Sequence, residues 1–182
     1  MDEIILAGYD PAWAGQFADI AGQVRAAFAD GPLIAVEHIG STSVTGLAAK
    51  PIVDIDVIVP SHSDVPDALA WLAVLGYTHQ GDLGIAGREA FERPPGAVQH
   101  HLYLCVRDNA EYRRHVTFRD YLRKHRDEAK RYEALKRDLA AQFPTDRAAY
   151  SAGKAEFVEA ALQKANAKEE GKRVEHGRSR HR

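Results

Sequence analysis

A single cysteine, Cys105, in 182 residues leaves no partner for an internal disulfide and no thiolate set for a cysteine-built zinc site, which suits a reducing cytosol. Within an alternating apolar segment, Cys105 reads as a small strand side chain. Net charge is scarce too: 24 lysines and arginines against 26 aspartates and glutamates give −2, with the two signs interleaved. That balance argues against tight binding to a nucleic-acid backbone and leaves room for a small charged substrate. No apolar run approaches the roughly 20 residues that a membrane helix needs, and the first residues lack the basic-then-apolar order of a secretory signal. The expectation is a soluble, cytoplasmic protein with no membrane partner. With 45% hydrophobic residues, the length suits one compact domain plus a tail and is short for two.

The segments that are present fall in a readable order. Asp10-Pro11 suits a helix start, because Asp caps free amides and Pro is tolerated in the first turn; Trp13, Phe17, Ile20, Val24 and Phe28 then recur at helical spacing. Asp30-Gly31-Pro32 ends that helix. Leu33 to Ile39 reads as a strand leading into the stretch Gly40 to Gly46, rich in Gly, Ser and Thr, and Pro51 begins a second strand, Ile52 to Val59. A helix capped by Ser63 or Asp64 runs to Leu75 and stops at Gly76. Tyr77 to Gln80 and Arg88 to Glu92 are weaker strand candidates. Val98 to Val106 is a stronger one, since Leu102, Leu104 and Val106 alternate with His101, Tyr103 and Cys105.

Beyond Asp108, charged residues with periodic apolar ones predict two or three helices. Phe118 and Leu122 mark one, Tyr132, Leu135 and Leu139 another, and Tyr150, Phe157, Val158 and Leu162 a third, with Phe143-Pro144-Thr145 as the break. From Lys168 there is almost nothing to bury, so residues 168–182 read as a disordered charged tail behind a domain of residues 1–167. The order of elements predicts an α/β or α+β domain: a mixed sheet flanked by helices, with a helical C-terminal portion.

Chemistry concentrates between Gly40 and Asp56. In a strand, Asp54 and Asp56 share one face while Val53, Ile55 and Val57 take the other. Two adjacent carboxylates in so apolar a strand are costly unless a cation or hydrogen bonds compensate them, and carboxylates together with substrate phosphates are the usual way to hold Mg²⁺. Taken alone, the Asp-x-Asp pattern divides between a metal site and a solvated face. Ahead of it, Gly40-Ser41-Thr42-Ser43 follows a strand and offers amides, hydroxyls and a glycine that lets a phosphate approach the main chain. It is not a Walker A loop, because Gly46 is followed by Leu47-Ala48-Ala49 rather than Lys-Ser/Thr. Strand, Gly-Ser turn and strand with Asp-x-Asp together resemble the nucleotidyltransferase layout of DNA polymerase β-like enzymes.

A closer resemblance lies in longer motifs. Tyr9-Asp10-Pro11-x-Trp13, His38 to Val44, Gly46-Leu47, Ala49 to Asp56, Phe118 to Arg123, Tyr150 and Lys154 resemble the GrpB (UPF0157) family over residues 4 to 163. The resemblance implies a nucleotidyltransferase-like fold, one also found fused to dephospho-CoA kinase. Two departures stand out: Val44-Thr45-Gly46 where members often have Val-Pro-Gly, and His101-Leu102-Tyr103 where they tend to have His-x-His. The second replaces an imidazole by a phenol and weakens the late strand as a source of metal ligands.

Residue types and resemblance together assign expected roles. Asp54 and Asp56 hold Mg²⁺, with Mn²⁺ as a substitute, and Gly40, Ser41, Thr42 and Ser43 cradle the phosphates of an NTP. Lys50, Arg119, Arg123 and Lys154 neutralise phosphate charge, the two arginines lying four apart on one helix face. His101 or Asp56 accepts the proton of a small-molecule acceptor. Glu37 and His38 fall on opposite strand faces, so at most one meets the site. His115 has no spacing that suggests a ligand set, and no acidic residue on the late strand supplies a third carboxylate. The expected function is Mg²⁺-dependent transfer of a nucleoside monophosphate. Its alternatives are a non-catalytic module that binds a nucleotide or CoA precursor, and another metal-dependent phosphotransfer or ligation.

Overall fold

The computed structural model describes residues 3–29 and 31–179, with side chains as far as 167. The charged tail expected over 168–182 lies outside the residues whose side chains are described. Helix α1 (Ala12–Ala27) precedes β1 (Ala35–Ile39), a 3₁₀ turn at Ser41–Ser43 and β2 (Val53–Val59). Next come α2 (Val65–Val74), β3 (Thr78–His79), β4 (Arg88–Glu92) and β5 (His100–Val106), followed by α3 (Ala110–Lys124), α4 (Arg126–Gln142), α5 (Arg147–Ala152) and α6 (Ala155–Ser179). The strands form one five-stranded mixed sheet in the order β1-β2-β5-β4-β3. Only the β2 and β5 pair is parallel.

One sheet face makes the main core. Val53, Ile55, Val57 and Val59 of β2 and Leu102 and Leu104 of β5 are buried against Trp13, Ile20 and Val24 of α1, Phe28 at its C-terminal cap and Leu72 of α2. Each such aliphatic side chain contributes about 1.5–3 kcal/mol on burial, and a one-residue slip of β2 would put Asp54 and Asp56 where valines and isoleucine sit. The apolar face therefore fixes which way the aspartates point. The opposite face is covered by the C-terminal helices through a second cluster, in which Val44 and Leu47 of the loop meet Tyr121 and Leu122 of α3, Tyr132 of α4 and Ala161 of α6. The helical portion thus rests on the loop as well as on the sheet.

The mixed sheet and helical C-terminal part are those the sequence predicts; several boundaries differ. The strand β1 starts at Ala35 rather than Leu33 and β5 at His100 rather than Val98. The single helix expected around Tyr150 and Leu162 is two, so four helices follow β5 among the described residues. Gly153 marks the break: it packs so closely on the Leu139 side chain that a Cβ would collide with it. Asp64 is the N-cap residue of α2, as expected, though its side chain makes no cap bond to that helix. It serves instead the 3₁₀ turn His62–Asp64 just before it, where the Ser61 amide and hydroxyl both reach the Asp64 carboxylate, at 3.0 and 2.7 Å, in a capping box.

Candidate functional site

Strand register assembles the site. Asp54 pairs with His101 across the parallel ladder and Asp56 with Tyr103, while β1 sets Glu37 opposite Asp56. These five polar side chains therefore share the face turned away from the main core. His101 donates from Nδ1 to Asp54 Oδ1 at 2.8 Å. His115, reaching down from α3, donates from Nδ1 to Asp56 Oδ2 at the same distance.

Asp56 is completely buried, and its other oxygen, Oδ1, has no hydrogen-bond partner among the described residues. Burial pushes the Asp56 carboxyl up from its ordinary value, against the pull of His115. For His115 burial acts downward, but the bond to Asp56 and its charge outweigh it, so that imidazole holds its proton to higher pH than usual. A buried carboxylate with one oxygen unsatisfied is the kind of group that awaits a cation or a donor.

The loop is shaped around Asp54. Gly40 has φ 68° and ψ −173°, a region open essentially to glycine, and a Cβ there would collide with the Asp54 carboxylate. From Gly40 the chain enters the 3₁₀ turn, where the Ser43 hydroxyl donates to the Gly40 carbonyl at 2.6 Å. His38 supports the turn from the core side, with Nε2 3.0 Å from Thr42 Oγ1 and its ring stacked on Phe17. Burial and the nearby Arg123 lower its pKa to about 4, so it is neutral at physiological pH.

Side chains from the C-terminal helices hold the loop backbone. Arg123 donates twice to the Ser43 carbonyl at 3.0 and 2.7 Å, and Arg119 donates to the His38 carbonyl at 3.0 Å while pairing with Glu37 at 2.6 Å and Asp120 at 2.8 Å. From α4, Glu133 accepts from the Ala48 amide at 3.0 Å. Lys136 donates to the Ala48 carbonyl and, at 3.0 Å, to Ser41 Oγ. Both ends of the loop are thereby tied to helices 80 to 95 residues downstream.

Between the turn, the sheet, α4, α5 and the turn that follows α5 lies a cavity of about 300 Å³. Ser41, Thr42, Lys50, Asp54, His101, Tyr103, Lys136, Tyr150, Ser151 and Lys154 line it. Three lysines converge there, and none forms an ion pair among the described residues. Lys154 and Lys50 instead sit over the Tyr150 ring, 4.4 and 5.4 Å from its centroid, and Lys136 lies 5.0 Å from that of Tyr132. Burial, reinforced by Lys154, lowers Lys136 to about 7; burial and Lys50 lower Lys154 to about 8. Lys50 is lowered as well, by burial and then by Arg147. Beside them, Tyr103 is raised to about 12 by burial and keeps its phenolic proton, with the Arg88 guanidinium 4.2 Å from its ring.

The model of the family described as GrpB protein matches residues 3–164. The chain belongs to the GrpB family. Among curated relatives, a UPF0157 protein of Bacillus subtilis is 39% identical over 176 residues, 96% of this chain and 50% of that protein. The chain thus spans half the length of that relative. A UPF0157 protein of Pseudomonas aeruginosa is also 39% identical, over 90% of this chain and 68% of its own length. Among solved structures, that of the conserved protein GrpB from Enterococcus faecalis is similar with a TM-score of 0.79 at 35% identity, covering 90% of this chain and 98% of that one.

In this GrpB protein the residues singled out in sequence separate into groups. Ser41, Thr42, Lys50, Asp54, His101 and Lys154 meet around the one cavity. Gly40 underlies Asp54, and Asp56 sits deeper beside His115. Ser43, Arg119 and Arg123 do not line the cavity: the arginines reach protein acceptors, and Ser43 and Arg123 face a separate groove between the loop and helices α3 and α4. Of the Glu37 and His38 pair, Glu37 faces the aspartates and is engaged by Arg119.

Neither Lys136, a helical lysine weighed with Lys154, nor His115 is among the residues given a role from the sequence. The signal for Lys136 was its place on the Tyr132, Lys136, Leu139 stripe of α4, where a lysine among core positions stands out; for His115 it was the four-residue step to the buried Arg119. No group of three or more His, Cys, Asp or Glu side chains is arranged to hold a metal among the described residues. Any dication there would take carboxylate oxygens from Asp54 and Asp56 and the remainder of its shell from water or ligand. No helix among the described residues is long and apolar enough to cross a membrane.

Proposed function

We propose that this protein is a Mg²⁺-dependent transferase of the nucleotidyltransferase-like superfamily, moving a nucleoside monophosphate from an NTP to a small acceptor. The observation that carries the reading is one cavity in which Asp54, set under the Gly40 turn, faces the side chains of Lys50, Lys136 and Lys154. One lining carboxylate, with Asp56 buried behind it, and three ammonium groups in the same cavity fit a polyphosphate bound with a divalent ion. The unsatisfied Asp56 Oδ1 and the neighbouring Asp54 carboxylate are hard oxygen donors of the type Mg²⁺ takes; they fit it in part, and would hold it together with oxygens of the ligand. When bound, the ion supplies positive charge against the α-phosphate and the departing pyrophosphate.

The chain's own residues do the rest. Ser41 and the three lysines seat the phosphates, and the helical clamp on Ser43 and Ala48 keeps the turn from shifting as charge moves. The acceptor oxygen bonds to the α-phosphorus as the α–β bridging bond breaks, and pyrophosphate leaves with the electron pair. Half-exposed His101, held by Asp54 at Nδ1, takes the acceptor's proton at Nε2. Completely buried Asp56 is less accessible for that task.

The lack of a third metal-directed carboxylate among the described residues favours a second reading, a module that binds nucleotide or a CoA precursor without transfer. Calorimetry with ATP, with and without Mg²⁺, combined with pyrophosphate release over a panel of acceptors, separates the two. Transfer requires turnover that falls at least about a hundredfold in Asp54→Asn. Tight ATP binding with no turnover, unchanged in Asp54→Asn, sinks it in favour of the binding module.

A further inference from the structure

We infer that the lysine-lined cavity recognises the polyphosphate chain of its substrate and is indifferent to the nucleobase. The inference rests on the proposed nucleotide function and adds what that nucleotide must contain.

Charge points to phosphate first. Lys50, Lys136 and Lys154 meet in one cavity opposite one lining carboxylate, Asp54. Lys136 is 2% exposed, and its hydrogen bonds go to neutral acceptors, Ser41 Oγ and the Ala48 carbonyl. A buried cation bonded only to neutral acceptors is costly, and Lys50 and Lys154 beside it are half-buried with Asp54 as their one nearby carboxylate in the cavity, so an anion carrying several charges relieves all three at once. Lysine ammonium groups also suit phosphate as point charges free of a planar fork, so they tolerate a flexible chain of phosphates.

The rings around the cavity leave little to read a base. A base-specific pocket needs an aromatic platform and amide groups to read the base edge. Tyr150 is 1% exposed with Lys154 and Lys50 already against its ring, and Tyr103 has the Arg88 guanidinium on its face. No asparagine or glutamine lines the cavity among the described residues. The exposed ring that remains, His101, can stack on every base alike, and its Nε2 is engaged by the acceptor in the proposed reaction. Size agrees: about 300 Å³ is the low end of pockets that enclose a drug-sized ligand, so a triphosphate fills it and the nucleoside extends outside.

The test is isothermal calorimetry of the full chain with Mg²⁺, using the α,β-methylene analogues of ATP, GTP, CTP and UTP together with inorganic tripolyphosphate and adenosine. All four analogues and tripolyphosphate are expected to bind within about tenfold of one another, with adenosine far weaker. Lys136→Met and Lys154→Met should each weaken every phosphate ligand by about tenfold; Lys154→Met carries the expectation if the more buried Lys136 variant does not fold. A preference for one base beyond tenfold, or adenosine binding where tripolyphosphate does not, overturns the inference. Pyrophosphate release measured in parallel keeps the two readings apart. Tripolyphosphate binding without turnover sinks transfer and leaves base indifference standing, whereas turnover with a single NTP does the reverse.

Discussion

Replacing Lys136 by Met should make the ligand-free protein more stable at neutral pH and less stable at alkaline pH. The Lys136 ammonium is 2% exposed, and its pKa is lowered from 10.5 to about 7. At about 1.4 kcal/mol per unit, the folded state carries the charge at a cost of about 5 kcal/mol. That cost is fully present below pH 7, where folded and unfolded chains both hold the proton. Between pH 7 and 10.5 the unfolded chain binds more protons than the folded one, so wild-type stability rises by about 1.4 kcal/mol per pH unit from this group. Met removes the charge but also the two hydrogen bonds to Ser41 and Ala48, together worth about 2 kcal/mol. The variant is then ahead by about 3 kcal/mol at pH 6.5 and behind by about 1 kcal/mol at pH 10, crossing the wild type near pH 9. Urea unfolding of both proteins at fixed pH values over that range measures the difference, in which titrations of groups distant from Lys136 cancel. A difference that does not change with pH refutes the claim that Lys136 is a charge held in place at the expense of stability.

Three further substitutions probe the carboxylates. Gly40→Ala forces an L side chain into φ 68° and against Asp54, and should destabilise the fold by about 1–3 kcal/mol while abolishing Mg²⁺-dependent ATP binding; thermal denaturation and calorimetry read the two effects. His115→Gln leaves the Asp56 charge buried without its imidazolium and should cost about 3 kcal/mol by urea midpoint. Because the folded pKa of His115 lies above 6.5, its contribution is complete below pH 6.5 and fades as pH rises through the folded value, so the gap from wild type narrows in that direction. Adding Asp56→Asn to His115→Gln should recover part of the loss; a double variant as unstable as the sum of the singles would mean the two residues do not interact.

Strands and their faces were legible because burial writes them directly into composition. The Val53 to Val59 alternation and the Leu102, Leu104, Val106 set gave the buried face, and with it the shared face of Asp54, Asp56 and His101. Helix number after β5 was less legible, since the break at Gly153 follows from contact with Leu139, a partner fourteen positions earlier, rather than from any local stop signal stronger than one glycine. Ends of strands moved for a similar reason: Ile34 is apolar and bonds its amide to the Ile58 carbonyl, yet the ladder proper begins one residue later.

The site divides along the same line. Gly40, Ser41 and the aspartates are contiguous, so their proximity is a property of the chain. Lys136 and His115 reach the same place from helices whose sequences look charged and solvated, and a salt-bridged surface is the ordinary fate of such residues. What distinguishes them is a conflict between levels. Lys136 occupies a core position of α4 where an apolar residue would be more stable, and Asp56 lies in the interior of β2 with an oxygen left unsatisfied. A sequence shaped by stability alone would have removed both. Their joint presence, with Asp54 and Lys136 lining the same small cavity, is what the proposed ligand, a polyphosphate carrying a cation, would account for.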